Sequence, residues 1–315
     1  MINKTAALFL FLFQFSICLA QQKEVCFTFD DLPVVTYGLH KIDYQQEVTR
    51  KLVSTLKKRN IPAIGFVNES SIYSGKKPDA AKIALLEEWL KAGMELGNHS
   101  YSHPDYHKVN FKVYSEDILK GEKISRPLST RYGKEFKYYR HPYLHTGNSK
   151  EKTDSLSLFL QEKDYLEAPV SIDNSDYIFA KAYDNANING DKELMKSLGE
   201  HYVNYMEKNL RFYENQSHKL FGYNIKHILL LHANLLNAHF VDELADMYQK
   251  NGYAFVSLEK ALTDEAYKSE STYYGRGGIS WIDRWALTAG NKGDFFKEDP
   301  RTPDFVLKAA GIESE

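Results

Sequence analysis

The sequence has few cysteines and almost no excess charge, and both shortages narrow what the protein can be. Cysteine occurs only at positions 18 and 26 of the 315 residues. Cys18 falls in an N-terminal stretch that we expect to be removed, so Cys26 would remain alone and no intramolecular disulfide could form. Stability must then come from a large core or a bound metal. The formal net charge of −2 argues against a nucleic-acid-binding surface, because phosphates attract basic proteins.

Long apolar runs are also missing after the first twenty residues. Within those twenty, Lys4 precedes an apolar run from Ala6 to Leu19, and the small residue Ala20 follows. This pattern predicts a signal peptide over residues 1–20 and an exported protein, periplasmic or secreted, with no stable membrane insertion after cleavage. A retained anchor is the alternative, since the run is long for a signal peptide. Lipid attachment at Cys18, as in a lipoprotein, is a weaker alternative, because bulky Ile17 stands where a small residue is expected.

Short apolar runs alternate with longer segments of helical spacing from residue 25 to about residue 262. The predicted strands are 25–29, 62–67, 94–98, 137–140, 166–172, 227–231 and 253–257. The predicted helices are 46–59, 80–92, 112–131, 149–163, 193–214 and 241–251. Such alternation is typical of parallel β/α units, and seven units suit a distorted (β/α)7 TIM-like barrel. We therefore expect an α/β catalytic domain over residues 21–262 and a C-terminal extension, 263–315, packed on the barrel.

Titratable side chains follow five of the predicted strands. They are Asp30, Asp31, His99, His103, Arg140, Asp173, Asp176 and His232. The carboxyl ends of parallel barrel strands lie on one face, so these side chains should converge there. Five separate stretches delivering polar groups to one rim favour a catalytic site.

The pair His99 and His103 is a moderate signal for a metal site. Two imidazoles four residues apart can face one ion, but surface or capping histidines are the favoured explanation when the pair stands alone. An aspartate from another strand end would complete a set of two nitrogens and one oxygen. This set is typical of a catalytic metal site with a position left open.

Five ordered motifs resemble the polysaccharide deacetylases, the NodB-homology carbohydrate esterases of family 4. They are TFDD (28–31), HSYSHP (99–104), RHPY (140–143), DNSDY (173–177) and LLLH (229–232). The resemblance covers about residues 25–257 and implies the NodB-homology barrel and metal-dependent removal of acetyl groups from a glycan. It also implies that Asp31, His99 and His103 hold the metal and that Asp30 is the general base. We favour Zn²⁺, while Co²⁺, Mn²⁺ and Ni²⁺ suit the same ligands.

The resemblance assigns roles to four further residues. Arg140 would steady Asp30, and the backbone N–H of Tyr143 would bind the oxyanion. His232 would be the general acid, with its pKa raised by Asp176. The sequence departs from the family where Leu32 replaces a usual glycine and where Tyr177 stands at a common tryptophan position. Both departures are expected to alter the shape of the groove.

The expected partner is an acetylated glycan, such as a chitooligosaccharide, peptidoglycan or acetylxylan, with N-acetyl favoured over O-acetyl. Two alternatives stay open: hydrolysis of another linear or cyclic amide, and a glycan-binding protein that has lost catalysis. The sequence does not indicate an oligomeric state.

Several other polar or aromatic residues are interpreted as having no catalytic role. His107, His141 and His145 are expected to be solvated loop histidines. Trp281 and Trp285, four residues apart, are expected to pack inward from a helix. Asp283 and Asp294 are taken as surface charges.

Overall fold

The computed structural model describes residues 22–314, so the predicted signal peptide lies outside the described residues. The strands are β1 Lys23–Leu32, β2 Ile64–Val67, β3 Tyr73–Ser74, β4 Lys77–Pro78, β5 Glu95–Asn98, β6 Tyr138–Tyr139, β7 Leu166–Glu167, β8 His227–His232 and β9 Tyr253–Phe255. Most of them coincide with predicted strands. The exceptions are β3 and β4, a short antiparallel hairpin that the sequence did not suggest.

A curled parallel sheet forms the centre of the fold. Strand β1 pairs with β2, β2 with β5, β5 with β6, and β6 with β7. On its other side β1 pairs with β8, and Ile172, beyond β7, forms a parallel bridge to Leu229 of β8. The ring is therefore closed through the irregular stretch after β7. Strand β9 pairs with the first residues of β1, from Lys23 to Val25. The predicted distorted (β/α)7 barrel is confirmed.

Strand β1 shows why the centre of the barrel holds together. Its residues from Val25 to Asp30 are all buried, as expected for a strand covered on both faces. Phe27 packs edge-on against Tyr248 and Phe255, and Phe29 packs against Trp89. These aromatic contacts fix the strand whose far end carries the two adjacent aspartates.

Helices surround the sheet. They are α1 Ile42–Lys58, α2 Ala80–Lys91, α3 Phe111–Lys120, α4 Ser125–Arg131, α5 Lys150–Glu162, α6 Asp176–Ile188, α7 Lys192–Phe221, α8 Leu235–Lys250, α9 Leu258–Ala261, α10 Trp281–Thr288 and α11 Asp304–Ala310. The single helix predicted over 112–131 is instead two, α3 and α4, separated near Gly121. A β-carbon at Gly121 would lie 2.4 Å from the backbone carbon of Ser100, so glycine permits close approach to the loop after β5. Helix α6 was not predicted.

The segment after residue 262 lies against the barrel. The Trp281 amide donates to the carbonyl of Val170, at 2.7 Å, and the Asn185 side chain donates to the carbonyl of Ala309, at 2.9 Å. Trp281 and Trp285 are buried in α10, as the helical spacing predicted. Within residues 22–314, none of the helices combines the length and the apolar character needed to cross a bilayer.

Candidate active site

The predicted site residues meet at the carboxyl ends of the strands. A cavity of about 650 Å³ opens there, and its walls include Asp30, Asp31, His99, His103, Tyr143 and His232. Arg140 and Asp176 lie behind this layer, and both are completely buried. All eight residues therefore belong to one constellation, although they come from five separate stretches of the chain.

Asp31, His99 and His103 form a compact cluster of possible metal ligands. The Asp31 Oδ1 atom lies 3.6 Å from His99 Nε2 and 3.7 Å from His103 Nε2. His99 Nδ1 is hydrogen-bonded to the carbonyl of Arg140, at 2.9 Å, which fixes the tautomer and leaves Nε2 as the lone-pair nitrogen. Burial and the neighbouring His103 lower the pKa of His99 to about 3, so its ring is neutral at ordinary pH.

The cluster fits a small divalent cation. Ligands bound tetrahedrally at about 2.0–2.2 Å lie roughly 3.3–3.6 Å apart, close to the separations observed here. Asp31 Oδ1 is buried and has no hydrogen-bond partner among the described residues. A buried carboxylate oxygen without a partner is costly, and a shared cation would satisfy it. Two imidazoles and one carboxylate match Zn²⁺ and its neighbours in the first transition series.

Asp30 has a different partner. Arg140 Nη1 lies 3.4 Å from both carboxylate oxygens of Asp30, while its Nη2 donates to Thr28 Oγ1 and its Nε to the carbonyl of Ala168. The guanidinium also lies over the ring of Phe66. Burial raises the pKa of the Asp30 carboxyl, and the charge of Arg140 opposes that rise. Arg140 is thus held rigidly with its charge directed at Asp30.

His232 and Asp176 form a hydrogen-bonded pair on the cavity wall. His232 Nδ1 lies 2.6 Å from Asp176 Oδ1, and Asp176 Oδ2 accepts from the His232 amide and from the Asn237 side chain. Burial alone would lower the pKa of His232, but Asp176, with help from Asp31 and Asp30, raises it to about 10. The ring can therefore carry a proton at neutral pH.

Tyr143 lies on a tight turn after β6 whose backbone is left-handed, with φ of 57°. The next two amides, of Leu144 and His145, donate to the carbonyls of His141 and Pro142. A β-carbon at Gly278 would lie 1.8 Å from the Tyr143 carbonyl oxygen, so the C-terminal segment presses directly on this turn. No local pattern in the sequence indicates this contact.

Some residues differ from the sequence-based expectation. His141 is buried and bonds Glu167 through Nε2, so it is not a solvated loop histidine. Asp283 is only partly exposed, bonds Ser280, and has its pKa raised by burial to about 6. Leu32 is wholly buried in the core and does not shape the groove, whereas Tyr177 is on the cavity wall.

The structure also adds residues that sequence reasoning missed. Gly278, Asp299 and Pro300 of the C-terminal segment line the cavity. They lie 46 to 68 residues beyond the last motif, which ends at His232, and no local pattern marks them as part of a site. Asp173, by contrast, was expected at this face from its place after a predicted strand; it lines the cavity, and burial raises its pKa to about 7.

Comparison with known proteins gives consistent results. Residues 20–157 match the family model described as polysaccharide deacetylase. Over 120 residues the chain is 34% identical to the peptidoglycan-N-acetylglucosamine deacetylase of Bacillus cereus, which covers 38% of this chain and 36% of that protein. It is 26% identical over 128 residues to the bifunctional xylanase/deacetylase of Pseudobutyrivibrio xylanivorans, covering 41% of this chain and 18% of that protein. The alignments thus reach only about a third and a fifth of these relatives' lengths.

Solved structures share the fold. The polysaccharide deacetylase Bc1974 of Bacillus cereus superposes with a TM-score of 0.51 and 17% identity, covering 75% of this chain and 92% of that chain. A mutant of BA3943, a family 4 pseudoenzyme with restored enzymatic activity, gives a TM-score of 0.50 and 14% identity, covering 77% of this chain and 68% of that chain. Residues 20–157 are therefore similar in sequence to the polysaccharide deacetylases, and the barrel is similar to that of solved polysaccharide deacetylase and carbohydrate esterase family 4 structures.

Proposed function

We propose that the protein is an exported, divalent-metal-dependent hydrolase that removes N-acetyl groups from a glycan. The observation that carries the proposal is the division of roles around one cavity. Asp31, His99 and His103 form a ligand set, Asp30 lies beside it with its own cationic partner, and His232 can carry a proton. A glycan-binding protein would need neither a base nor an acid in this arrangement.

Each group has a distinct part in the proposed reaction. When bound, the divalent cation would supply Lewis-acid activation of water and of the acetyl carbonyl. Asp30 takes a proton from the attacking water, and the charge of Arg140 favours the ionised form of the Asp30 carboxylate between turnovers. The Tyr143 amide donates to the developing oxyanion. His232 then protonates the departing nitrogen, because an amine anion is too poor a leaving group to depart unprotonated.

The protonated state of His232 supports N-acetyl over O-acetyl as the substrate bond. An amide requires a proton on its leaving nitrogen, while an alcohol leaving group is less demanding. Two relatives, from Bacillus cereus and Listeria monocytogenes, are peptidoglycan-N-acetylglucosamine deacetylases. We propose glycans with N-acetylglucosamine units as the substrate class. We also propose the division into a catalytic domain, 21–262, and a C-terminal extension that completes the cavity wall.

Acetate release from a glycan panel tests this function. The panel contains chitooligosaccharides, peptidoglycan and acetylxylan, each with the untreated protein, the chelator-treated protein and the chelator-treated protein resupplied with Zn²⁺. Release from the N-acetylated glycans should disappear with chelation and return with Zn²⁺. Release that is insensitive to chelation would refute the metal mechanism, and glycan binding without release would favour the glycan-binding alternative.

Two matched substitutions separate the roles of the adjacent aspartates. Asp31→Asn should weaken metal binding, because an anionic ligand becomes a neutral amide, and the bound metal measured by mass spectrometry should fall. Asp30→Asn should leave the metal content unchanged while lowering kcat by at least ~100-fold, the usual contribution of a positioned base. Equal metal loss in both variants would contradict the assignment.

A further inference from the structure

A second cluster of possible ligands lies beside the candidate active site. Asp105 and His107 come from the loop after β5, and His145 comes from the turn after β6. Each residue offers one ligand atom, and these atoms all lie within 4.8 Å of one another. The proposed catalytic function does not use any of the three.

The contacts within this cluster are close and directed. The Asp105 Oδ1 atom lies 2.7 Å from His145 Nδ1 and accepts from the His107 amide at 2.9 Å. The two imidazole rings lie parallel, with centroids 3.8 Å apart and an interplanar angle of 6°. Asp105 is therefore held beside two stacked histidine rings by one bond to the His107 backbone and one to the His145 ring.

One ligand atom in the cluster lacks a partner. His107 Nε2 is buried and has no hydrogen-bond partner among the described residues. A buried ring nitrogen without a partner is costly, and a cation bound to it would remove that cost.

We propose that Asp105, His107 and His145 bind a second divalent cation, of the class that takes imidazole nitrogen with carboxylate oxygen, Zn²⁺ first among them. The ligand atoms are His107 Nε2, His145 Nδ1 and one oxygen of Asp105. The hydrogen bond between Asp105 and His145 gives way to shared coordination, with the His145 proton then on Nε2. Lys108 lies 3.2 Å from the other Asp105 oxygen, but its side chain is 82% exposed and free to swing into solvent.

The second cation site is separate from the first because Tyr143 lies between them. The ring of Tyr143 has its centroid 4.5 Å from that of His103 and 5.7 Å from that of His145. A cation in the second site would join the loop after β5 to the turn that carries Tyr143. In this way it would position the Tyr143 amide at the wall of the cavity, which His145 also lines.

Metal stoichiometry tests the second site. The purified protein is stripped with chelator, reloaded with Zn²⁺, desalted and analysed by mass spectrometry. The unsubstituted protein should hold two Zn²⁺ ions per chain after reloading. The His107→Ala variant and the Asp31→Asn variant should each hold one, and the variant with both substitutions should hold none. His201→Ala is the matched control and should hold two, because His201 is an exposed histidine away from both clusters that bonds the carbonyl of Ser197 in its own helix and packs against Phe305.

The outcomes distinguish failure of this proposal from failure of the proposed function. The second site would be overturned, and the catalytic site left intact, if the unsubstituted protein held one ion that His107→Ala keeps and Asp31→Asn loses. One ion lost in His107→Ala and kept in Asp31→Asn would support the second site and contradict the first. His145→Gln can still donate to Asp105, so loss of an ion in this folded variant shows coordination and not misfolding.

Discussion

The pair of His232 and Asp176 gives a prediction with a calculable size. The rise of the His232 pKa from its ordinary value of about 6.5 to about 10 corresponds to roughly 5 kcal/mol in favour of the protonated ring. Asp176→Asn removes the negative charge that is mainly responsible. The new amide can donate to Nδ1 of a neutral ring, so both changes favour the neutral form. The pKa of His232 should fall to about 6.5 or below, because burial is then unopposed by Asp176.

The sign of the effect on rate follows from the role of His232 as an acid. Activity needs the ring protonated, so the basic limb of the pH profile lies at the pKa of His232 and moves to lower pH in the variant. With a pKa of about 6.5, only roughly 3% of the rings are protonated at about pH 8, and the rate there should fall by ~30-fold. The rate should recover as the pH is lowered through about 6.5. A cation bound near Asp31 lowers the pKa of His232 in the unsubstituted protein and in Asp176→Asn alike, so the pKa of the variant is still the lower of the two.

The assay is the pH dependence of kcat/KM for acetate release, together with an NMR titration of the His232 ring nitrogens. Asp191→Asn is the matched control, because Asp191 is an exposed helix cap whose role asparagine also fills. A basic limb at the same pH in Asp176→Asn and in the unsubstituted protein would refute the reasoning. A ring that titrates near its ordinary value in the unsubstituted protein would refute it independently.

Two further predictions concern the supports of the site. Gly278→Ala should lower kcat with metal content unchanged, because the added methyl would meet the Tyr143 carbonyl oxygen at 1.8 Å. Gly277→Ala is the control and should retain activity, because its added methyl would have its nearest neighbour at 3.4 Å. Equal kcat in the two variants would contradict the contact. Arg140→Ala should lower the free energy of unfolding by about 3–5 kcal/mol in urea titrations, because it leaves the buried Asp30 carboxylate unpaired. Substitution of an exposed arginine should change the free energy of unfolding by about 0.5 kcal/mol at most. A similar loss in Arg140→Ala and in the exposed-arginine variant would argue against a buried pair of Arg140 and Asp30.

The fold was predictable because its strands carry continuous apolar runs and its helices carry amphipathic ones. Helix α6 was missed since its first residues belong to the DNSDY motif, which was interpreted only as a strand end. The sequence could also not show that Gly121 allows a close approach to Ser100, because that contact joins elements distant along the chain.

The site was predicted in part, for a similar reason. Residues at strand ends can be placed on a common face from the sequence, and Asp30, Asp31 and His232 meet there. Burial cannot be read in the same way, so His141 was assigned to solvent although it is buried against Glu167. The contribution of Asp299 depends on how the C-terminal segment folds back, which no local pattern specifies.

The backbone at the rim explains how two adjacent carboxylates can have different tasks. Asp30 is still within the β1–β8 ladder, opposite His232, whereas Asp31 is left-handed with φ of 60°. The change of backbone conformation turns Asp31 towards the histidines and leaves Asp30 with Arg140, so each negative charge has its own partner.

Positive φ angles are concentrated at this rim. Five of the seven non-glycine residues with positive φ among the described ones lie here: Asp31, Ser100, His103, Tyr143 and Leu144. Such conformations each cost about 1–3 kcal/mol and persist only where surrounding contacts enforce them. Cations that join these loops would supply such contacts, which links metal binding to the geometry of the site as well as to its chemistry.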